Sequence, residues 1–323
     1  MSQAAVPDVS VIIVNRNTRD LLIDCLASLA APSPLDIEII VVDNGSTDGS
    51  VPAVESRFPG VRLIRNDSNT GFAHPNNQGI AVSRGRHVML LNSDTVVRAG
   101  AIERLVEFMD GHPEAGACGP RLLFPDGRLQ RSCASFETPW RWFCDMLDLG
   151  KLAPRSTRFS NLRTRFEHSE TAPVDWVMGA ALLVRREVID SVGVLDEQFR
   201  IHCNESDWCY RMHLAGWEVY YVHAAEVVHY CGETRKREVD RSALEAEMAR
   251  NLIDYYRKHH GRLGVLSFRV WGVAGFALRR AKYAILNAVR PSERTIALGD
   301  FCRGMLRVAW TGDPRKFGAR PGR

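Results

Sequence analysis

Short apolar runs alternate with longer amphipathic stretches through the first 120 residues. Val9 to Val14, Ile37 to Val42, Val61 to Ile64 and His87 to Leu91 predict strands, being too short for helices and rich in β-branched residues. Asp20 to Leu29, Val51 to Phe58, Ala73 to Ser83 and Ala99 to Asp110 carry apolar positions at helical spacing. Strands apolar at consecutive positions are buried on both faces. The alternation therefore predicts an α/β fold: a mostly parallel sheet flanked by helices.

Past Gly119 this rhythm breaks into a hairpin around Pro125-Asp126-Gly127 and an irregular, Arg-rich, aromatic stretch from Ser132 to Ala172. An insertion of that length predicts a lid or binding loop. A strand-like segment over 174–184 follows, then a helix from Ser206 to Ala215 with Ser206 as its N-cap, and two short strands at Glu218 to Val222 and Glu226 to His229. Glu245 to His260 predicts a helix stopped by Gly261. Leu263 to Leu286 is apolar but interrupted by Arg269, Arg279, Arg280 and Lys282. The expected organisation is a catalytic domain over 8–235 whose halves meet near residue 120, a helical extension over 236–290 and a basic tail over 291–323.

With 323 residues, 45% hydrophobic and 25% charged, the chain reads as a globular enzyme rather than a fibrous or disordered protein. The net charge of +4 hides an asymmetry: residues 235–323 carry 20 Lys or Arg against 8 Asp or Glu, and the remainder 22 against 30. Eight scattered cysteines without a C-x-x-C pair, and an N-terminus with neither basic leader nor apolar core, predict a reduced cytoplasmic setting. Cys203 and Cys209 with His202 and His213 fit no structural zinc spacing. No uncharged stretch approaches the ~18 apolar residues of a membrane-spanning helix.

Two strands deliver acids to one rim. Asp94 closes Leu91-Asn92-Ser93-Asp94 after the strand beginning at His87, and Asp43 ends the strand beginning at Ile37. Ligands of an open α/β sheet bind at the carboxyl ends of its strands, so these positions predict a nucleotide site. Asp94 is the candidate metal seat, with an N-cap or turn role as its alternative. Asp43 offers an acceptor to the N3 hydrogen of uracil or thymine, with turn stabilisation as the competing role.

The ordered blocks Val9-Ser10-Val11-Ile12-Ile13-Val14-Asn15-Arg16-Asn17, Val41-Val42-Asp43-Asn44-Gly45-Ser46, Asn69-Thr70-Gly71-Phe72-Ala73, Asn76-Asn77-Gln78-Gly79 and Leu91-Asn92-Ser93-Asp94-Thr95 resemble the family 2 glycosyltransferases. Asp175-Trp176-Val177-Met178-Gly179-Ala180, Gly193-Val194-Leu195-Asp196-Glu197 and Asn204-Glu205-Ser206-Asp207-Trp208-Cys209-Tyr210-Arg211 are similar to the branch containing bacterial rhamnosyltransferases. The resemblance covers about residues 8–260 and implies a GT-A fold, a Rossmann-like nucleotide-binding half with an acceptor half. It also implies a divalent cofactor, Mg2+ or Mn2+.

By resemblance, Val14, Arg16, Asp43, Asn77 and Ser93 bind the nucleotide-sugar donor. Asp94 and His229, the latter in a His-x-x-Gly segment, hold the metal. Glu205 is the general base, while Trp176 and Asp207 are candidates for the acceptor. Four of these also have bland alternatives in the sequence: His229 follows an apolar pair as a core histidine does, Glu205 stands where a first-turn acid complements a helix dipole, Asp207 stands four residues before Arg211, the spacing of a helical ion pair, and Trp176 is an aromatic of the kind usually found in a core. The chain departs from the family in carrying Asn92 where many relatives have the first acid of Asp-x-Asp, and Asn204-Glu205 where Glu-Asp is usual.

The expected reaction is inverting transfer of a deoxyhexose such as rhamnose from a dTDP- or UDP-sugar to a polysaccharide or lipid-linked glycan in cell-envelope synthesis. A single base without a partnering nucleophile points to one in-line displacement. A sugar nucleotidyltransferase would carry a glycine-rich loop where this chain reads Asn15-Arg16-Asn17-Thr18-Arg19, and a non-catalytic nucleotide-sugar-binding protein is the third class. The basic C-terminal helix predicts peripheral contact with the inner face of the cell membrane, with Trp271, Phe276 and Tyr283 entering the interface. No nucleic-acid partner is expected.

Overall fold

The computed structural model describes residues 6–147, 149–152, 156, 158–159, 166–199, 202–231 and 241–313. Its central sheet is built from β1 (Val9–Asn15), β2 (Ile37–Asn44), β3 (Arg62–Asn66), β4 (His87–Asn92), β5 (Thr95–Val97), β6 (Ala115–Leu123), β11 (Ala181–Arg185) and β12 (Glu218–His229). The strand order is β3-β2-β1-β4-β11-β6-β12-β5. From β3 to β4 every pairing is parallel; β11 runs antiparallel to both β4 and β6, and β12 is again parallel to β6. Helices α1 (Arg19–Leu29), α2 (Ser50–Arg57), α3 (Ala73–Val82) and α4 (Ala101–Gly111) follow successive strands.

Burial on both faces explains the unbroken apolar runs. Val9, Val11, Ile12 and Ile13 in β1 are closed to solvent, as are Ile40, Val41 and Val42 in β2. Residue 79 must lack a side chain, because a Cβ there would stand 2.4 Å from Cγ2 of Ile12. Removing it lets α3 lie directly on β1.

At the opposite end of the sheet from the acids, His87 starts β4 with 1% of its surface exposed, and neither ring nitrogen has a hydrogen-bond partner among the described residues. Burial, reinforced by the Arg86 charge, pushes its pKa down to about 4. The imidazole folds neutral, whereas the unfolded chain takes up its proton near pH 6.5. This contribution is therefore complete above pH 6.5 and is lost as pH falls toward 4. By linkage it amounts to about 2 kcal/mol between pH 7 and pH 5. Urea unfolding at the two pH values is expected to record that loss, and the His87→Leu variant to lack it; equal pH dependence in both proteins would rule it out.

The later elements differ from the sequence expectation in four places. The strand expected over 174–184 divides into β9 (Ala172–Val174), β10 (Trp176–Val177) and β11, which runs into helix α6 (Arg186–Val192). The two strands expected at 218–222 and 226–229 are one, β12, with a register shift between Val222 and Glu226 that bends it without ending it. The short strand β8 (Cys133–Ala134) pairs with β10 where irregular chain was expected, while β7 (Leu129–Gln130) pairs with β6 as the second strand of the hairpin expected around Pro125-Asp126-Gly127. Within 291–323, expected as a tail, a helix over Glu293–Thr311 begins at a capping box of Ser292 and Thr295.

Two compact units result. The first takes up 1–135, 167–200 and 204–238; the second takes up 136–166, 201–203 and 239–323. The described residues between 136 and 166, the middle of the aromatic insertion, thus group with the C-terminal helices. In the second unit α5 (Pro139–Met146) lies against a long helix over Arg241–Val289, with Trp142 stacked 4.8 Å from Phe268 and Trp140 4.8 Å from Trp271. Gly261, at φ 61°, ψ −157°, kinks the long helix where the sequence predicted a stop.

Candidate active site

The carboxyl ends of β1, β2 and β4 meet at one rim because their registers align Asn15 with Asp43 and Val14 with Asn92. A buried polar chain links them. The Asn15 amide donates to Asp43 Oδ1 and to Ser46 Oγ, both at 3.1 Å, and its oxygen accepts from Thr18 at 2.7 Å. Thr18 in turn shares a 2.8 Å bond with Ser93.

Asp43, 4% exposed, also accepts from the Ser46 backbone at 2.9 Å, so both oxygens hold the turn, in the turn-stabilising role weighed from the sequence. Each oxygen retains a further lone pair. The Arg16 guanidinium clamps the same turn through the carbonyls of Asn44 and Gly45, at 2.9 and 2.6 Å. Val14 is half-buried beside it.

The second cluster joins residues 135 positions apart in sequence. His229, at the end of β12, pairs across to Thr95 in β5, which brings its Nε2 to 3.3 Å from Asp94 Oδ1. Its Nδ1 lies 2.9 Å from Gln130 Oε1. That oxygen only accepts, so a proton on Nδ1 bonds to Gln130 and Nε2 is the nitrogen facing Asp94, an orientation used by metal-binding histidines. The Asn92 amide is 3.4 Å from the same nitrogen. Both His229 and Asp94 are 4% exposed.

Cys25 lies beneath this cluster, 3.5 Å from Thr95 Oγ1, yet burial pushes its thiol up to about 12 and it stays protonated. Among the described residues no group of three or more His, Cys, Asp and Glu gathers.

Glu205 enters from helix α7 (Asn204–Leu214), where Ser206 lies inside the first turn rather than capping it. The helix N-terminus favours its negative charge. Gly179 donates its backbone N–H to Glu205 Oε1 at 3.2 Å, and the neighbouring carbonyl of Ala180 accepts from Asn92 N at 2.9 Å. One strand end therefore ties the candidate base to the candidate metal seat. A Cβ at residue 179 would stand 3.1 Å from the tip of Phe72 and 3.4 Å from Glu205 Oε1, so glycine keeps this approach open.

Two residues given ligand roles by the resemblance also make contacts within the fold. Asp207 is fully buried and accepts from Arg211 Nε at 2.9 Å, the ion pair weighed from its spacing. Asn77 holds the loop at Leu195 and Glu197, its amide donating to the Leu195 carbonyl at 2.9 Å and its oxygen accepting from the Leu195 N–H at 3.1 Å. Ser93 is buried against Thr18, and Trp176 is half-buried with its indole N–H on the Ser135 carbonyl at 3.1 Å. Asn15, Thr18 and Gln130 were missed: uncharged residues carry no signal of chemistry until partners distant in sequence are known.

Residues 10–192 match the family model described as Glycosyl transferase family 2. The chain is 31% identical over 281 residues to the N-acetylglucosaminyl-diphospho-decaprenol L-rhamnosyltransferase of Mycobacterium tuberculosis, an alignment covering 83% of this chain and 90% of that one. Among solved structures, a mannosyltransferase from Pyrobaculum calidifontis in complex with GDP-Man and Mn2+ superposes with a TM-score of 0.56 at 17% identity, covering 94% of this chain and 86% of the other. The S. aureus TarS structure in complex with UDP-GlcNAc gives 0.54 at 14% identity, covering 94% and 81%. These two share the fold, the GT-A arrangement expected from the sequence. The sequence match spanning β1 to the end of the helix after β11, at Val192, and the alignment extending over most of both chains make this protein a member of the family 2 glycosyltransferases.

Proposed function

We propose that this glycosyltransferase moves rhamnose, or a closely related deoxyhexose, from a dTDP- or UDP-sugar to a lipid-linked glycan at the cytoplasmic face of the cell membrane, inverting the anomeric carbon. The observation that carries the reading is the meeting of Asp94 and His229, backed by Gln130, on the rim that also receives Glu205. The long alignment with a rhamnosyltransferase that acts on a decaprenol-linked substrate supports the choice of sugar and acceptor.

An oxygen and an imidazole nitrogen suit Mn2+, and Mg2+ through the carboxylate, with water and diphosphate oxygens supplying the other positions. Asp94 and His229 would hold such an ion, and it would neutralise charge on the departing diphosphate. Glu205 takes the proton of the acceptor hydroxyl as that oxygen bonds to the anomeric carbon. The bond from that carbon to the diphosphate breaks, and the nucleoside diphosphate leaves with the electron pair. Asp43 and Arg16 shape the turn beside which the base of the nucleotide packs.

The test is nucleoside diphosphate release from dTDP-rhamnose and competing nucleotide sugars with Mn2+, with and without a polyprenyl-diphospho-N-acetylglucosamine acceptor. Release that requires the acceptor and is fastest with dTDP-rhamnose is expected. Release indifferent to the acceptor would remove the transfer reading, and preference for another sugar would replace rhamnose.

A further inference from the structure

Residues 261–290 contain six Arg or Lys and no Asp or Glu. They lie in the long helix of the second unit, designated α8 (Arg241–Val289), whose inner side packs Phe268 and Phe276 against Trp142 and sets Gly272 and Tyr283 against the following helix, α9 (Glu293–Thr311). Phe276 and Tyr283, expected from sequence to enter a membrane interface, are therefore core residues, and Trp271 is half-buried against Trp140 and Phe143.

The opposite side is apolar and open. Leu263, Leu266, Val270, Leu278, Ile285 and Val289 are 79, 53, 57, 55, 66 and 81% exposed. At 100° per residue they share an arc of roughly 140° in which no residue is charged. Exposed Arg262 and Arg280 border one edge of that arc and exposed Lys282 the other. Trp310, 70% exposed, stands by the first edge because Arg269 donates to its carbonyl at 2.6 Å. No described helix is long and apolar enough to cross a membrane.

We propose that this face of α8 lies flat in the surface of an anionic phospholipid membrane, its leucine, valine and isoleucine side chains among the acyl chains and its flanking cations on the headgroup phosphates. An apolar stripe with cations at both borders is the pattern of an interfacial helix. Charge decides against a second copy of the chain as the occupant: any two-fold contact of this face sets a cationic edge beside a cationic edge, and residues 261–290 offer no acid to neutralise them. Anionic headgroups supply that neutralisation. The inference rests on the proposed lipid-linked acceptor only for its purpose.

The test is flotation of the full chain with vesicles of phosphatidylcholine alone or mixed with phosphatidylglycerol, at low and high salt, without donor or acceptor. Binding at least about tenfold greater to the anionic vesicles, weakened by salt, is expected, and a comparable loss in the Leu266→Glu, Val270→Glu double variant. Both side chains are exposed, so the variant should keep its melting temperature. Equal binding to both vesicle types, or unchanged binding by the variant, would overturn the proposal. A dimer that the double variant dissociates, without vesicle binding by the parent chain, would also overturn it by assigning the face to a second copy. Vesicle binding by a protein that releases no diphosphate would leave this inference standing and remove the transferase reading alone.

Discussion

The Glu205→Gln variant is expected to lose about a thousandfold in turnover while holding donor affinity within about twofold, the loss lying inside the 10²–10⁴ range of a general base. The amide keeps the shape of the side chain, and its carbonyl oxygen still accepts from the Gly179 N–H that positions Glu205. What disappears is proton affinity. A bound acceptor hydroxyl then has no group to receive its proton as the new glycosidic bond forms, so the penalty falls on kcat. Single-turnover kinetics separate this from a binding defect, and an unchanged melting temperature excludes misfolding. The Glu205→Asp variant, which retains the base but withdraws it by one methylene, should fall between the two. Near-normal turnover in Glu205→Gln would end the assignment of the base to this residue.

Asp94→Asn is expected to weaken Mn2+ binding by at least about a hundredfold and to abolish the metal dependence of donor binding, since one of the two proposed protein ligands loses its charge. Gln130→Leu tests the layer behind it. Without the Oε1 acceptor on Nδ1, the His229 ring is free to carry its proton on Nε2, the nitrogen facing Asp94, and affinity should drop by about 10- to 100-fold. Titration followed by Mn2+ electron paramagnetic resonance reads both variants without requiring turnover. Should Asp94→Asn bind Mn2+ as the parent does, the Asp94 and His229 pair is a buried hydrogen-bonded contact and no metal seat. Asn92 sharpens the contrast, because its amide stands near the same imidazole without adding charge.

The parallel half of the sheet was legible because burial on both faces writes itself as consecutive apolar residues, and β1, β2, β3 and β4 lie within two residues of the runs that announce them. Segments with weaker periodicity were less legible. β12 reads as two strands because a register shift near Ala224 interrupts its alternation, and only pairing with β6 on both sides makes it one. The helix over Glu293–Thr311 is amphipathic but sits in a stretch whose basic composition dominates the sequence signal. Its role becomes plain only where Ala309 meets Gly272. The same limit explains Asp207, whose spacing from Arg211 allows an ion pair while burial alone chooses it.

By itself the sequence determined the fold class, the family, and the strand ends that carry Asp43, Asp94 and His229, because periodicity and local motifs are properties of neighbours along the chain. Tertiary structure alone decided which residues meet: Asp94 with His229 and Gln130, Glu205 with Gly179, and Asn77 with the Leu195 loop. It also decided which face of the C-terminal helix is core and which is open. The physical reason is that partners separated by 26 to 135 positions are joined by register and packing, and neither is written in any local window of residues.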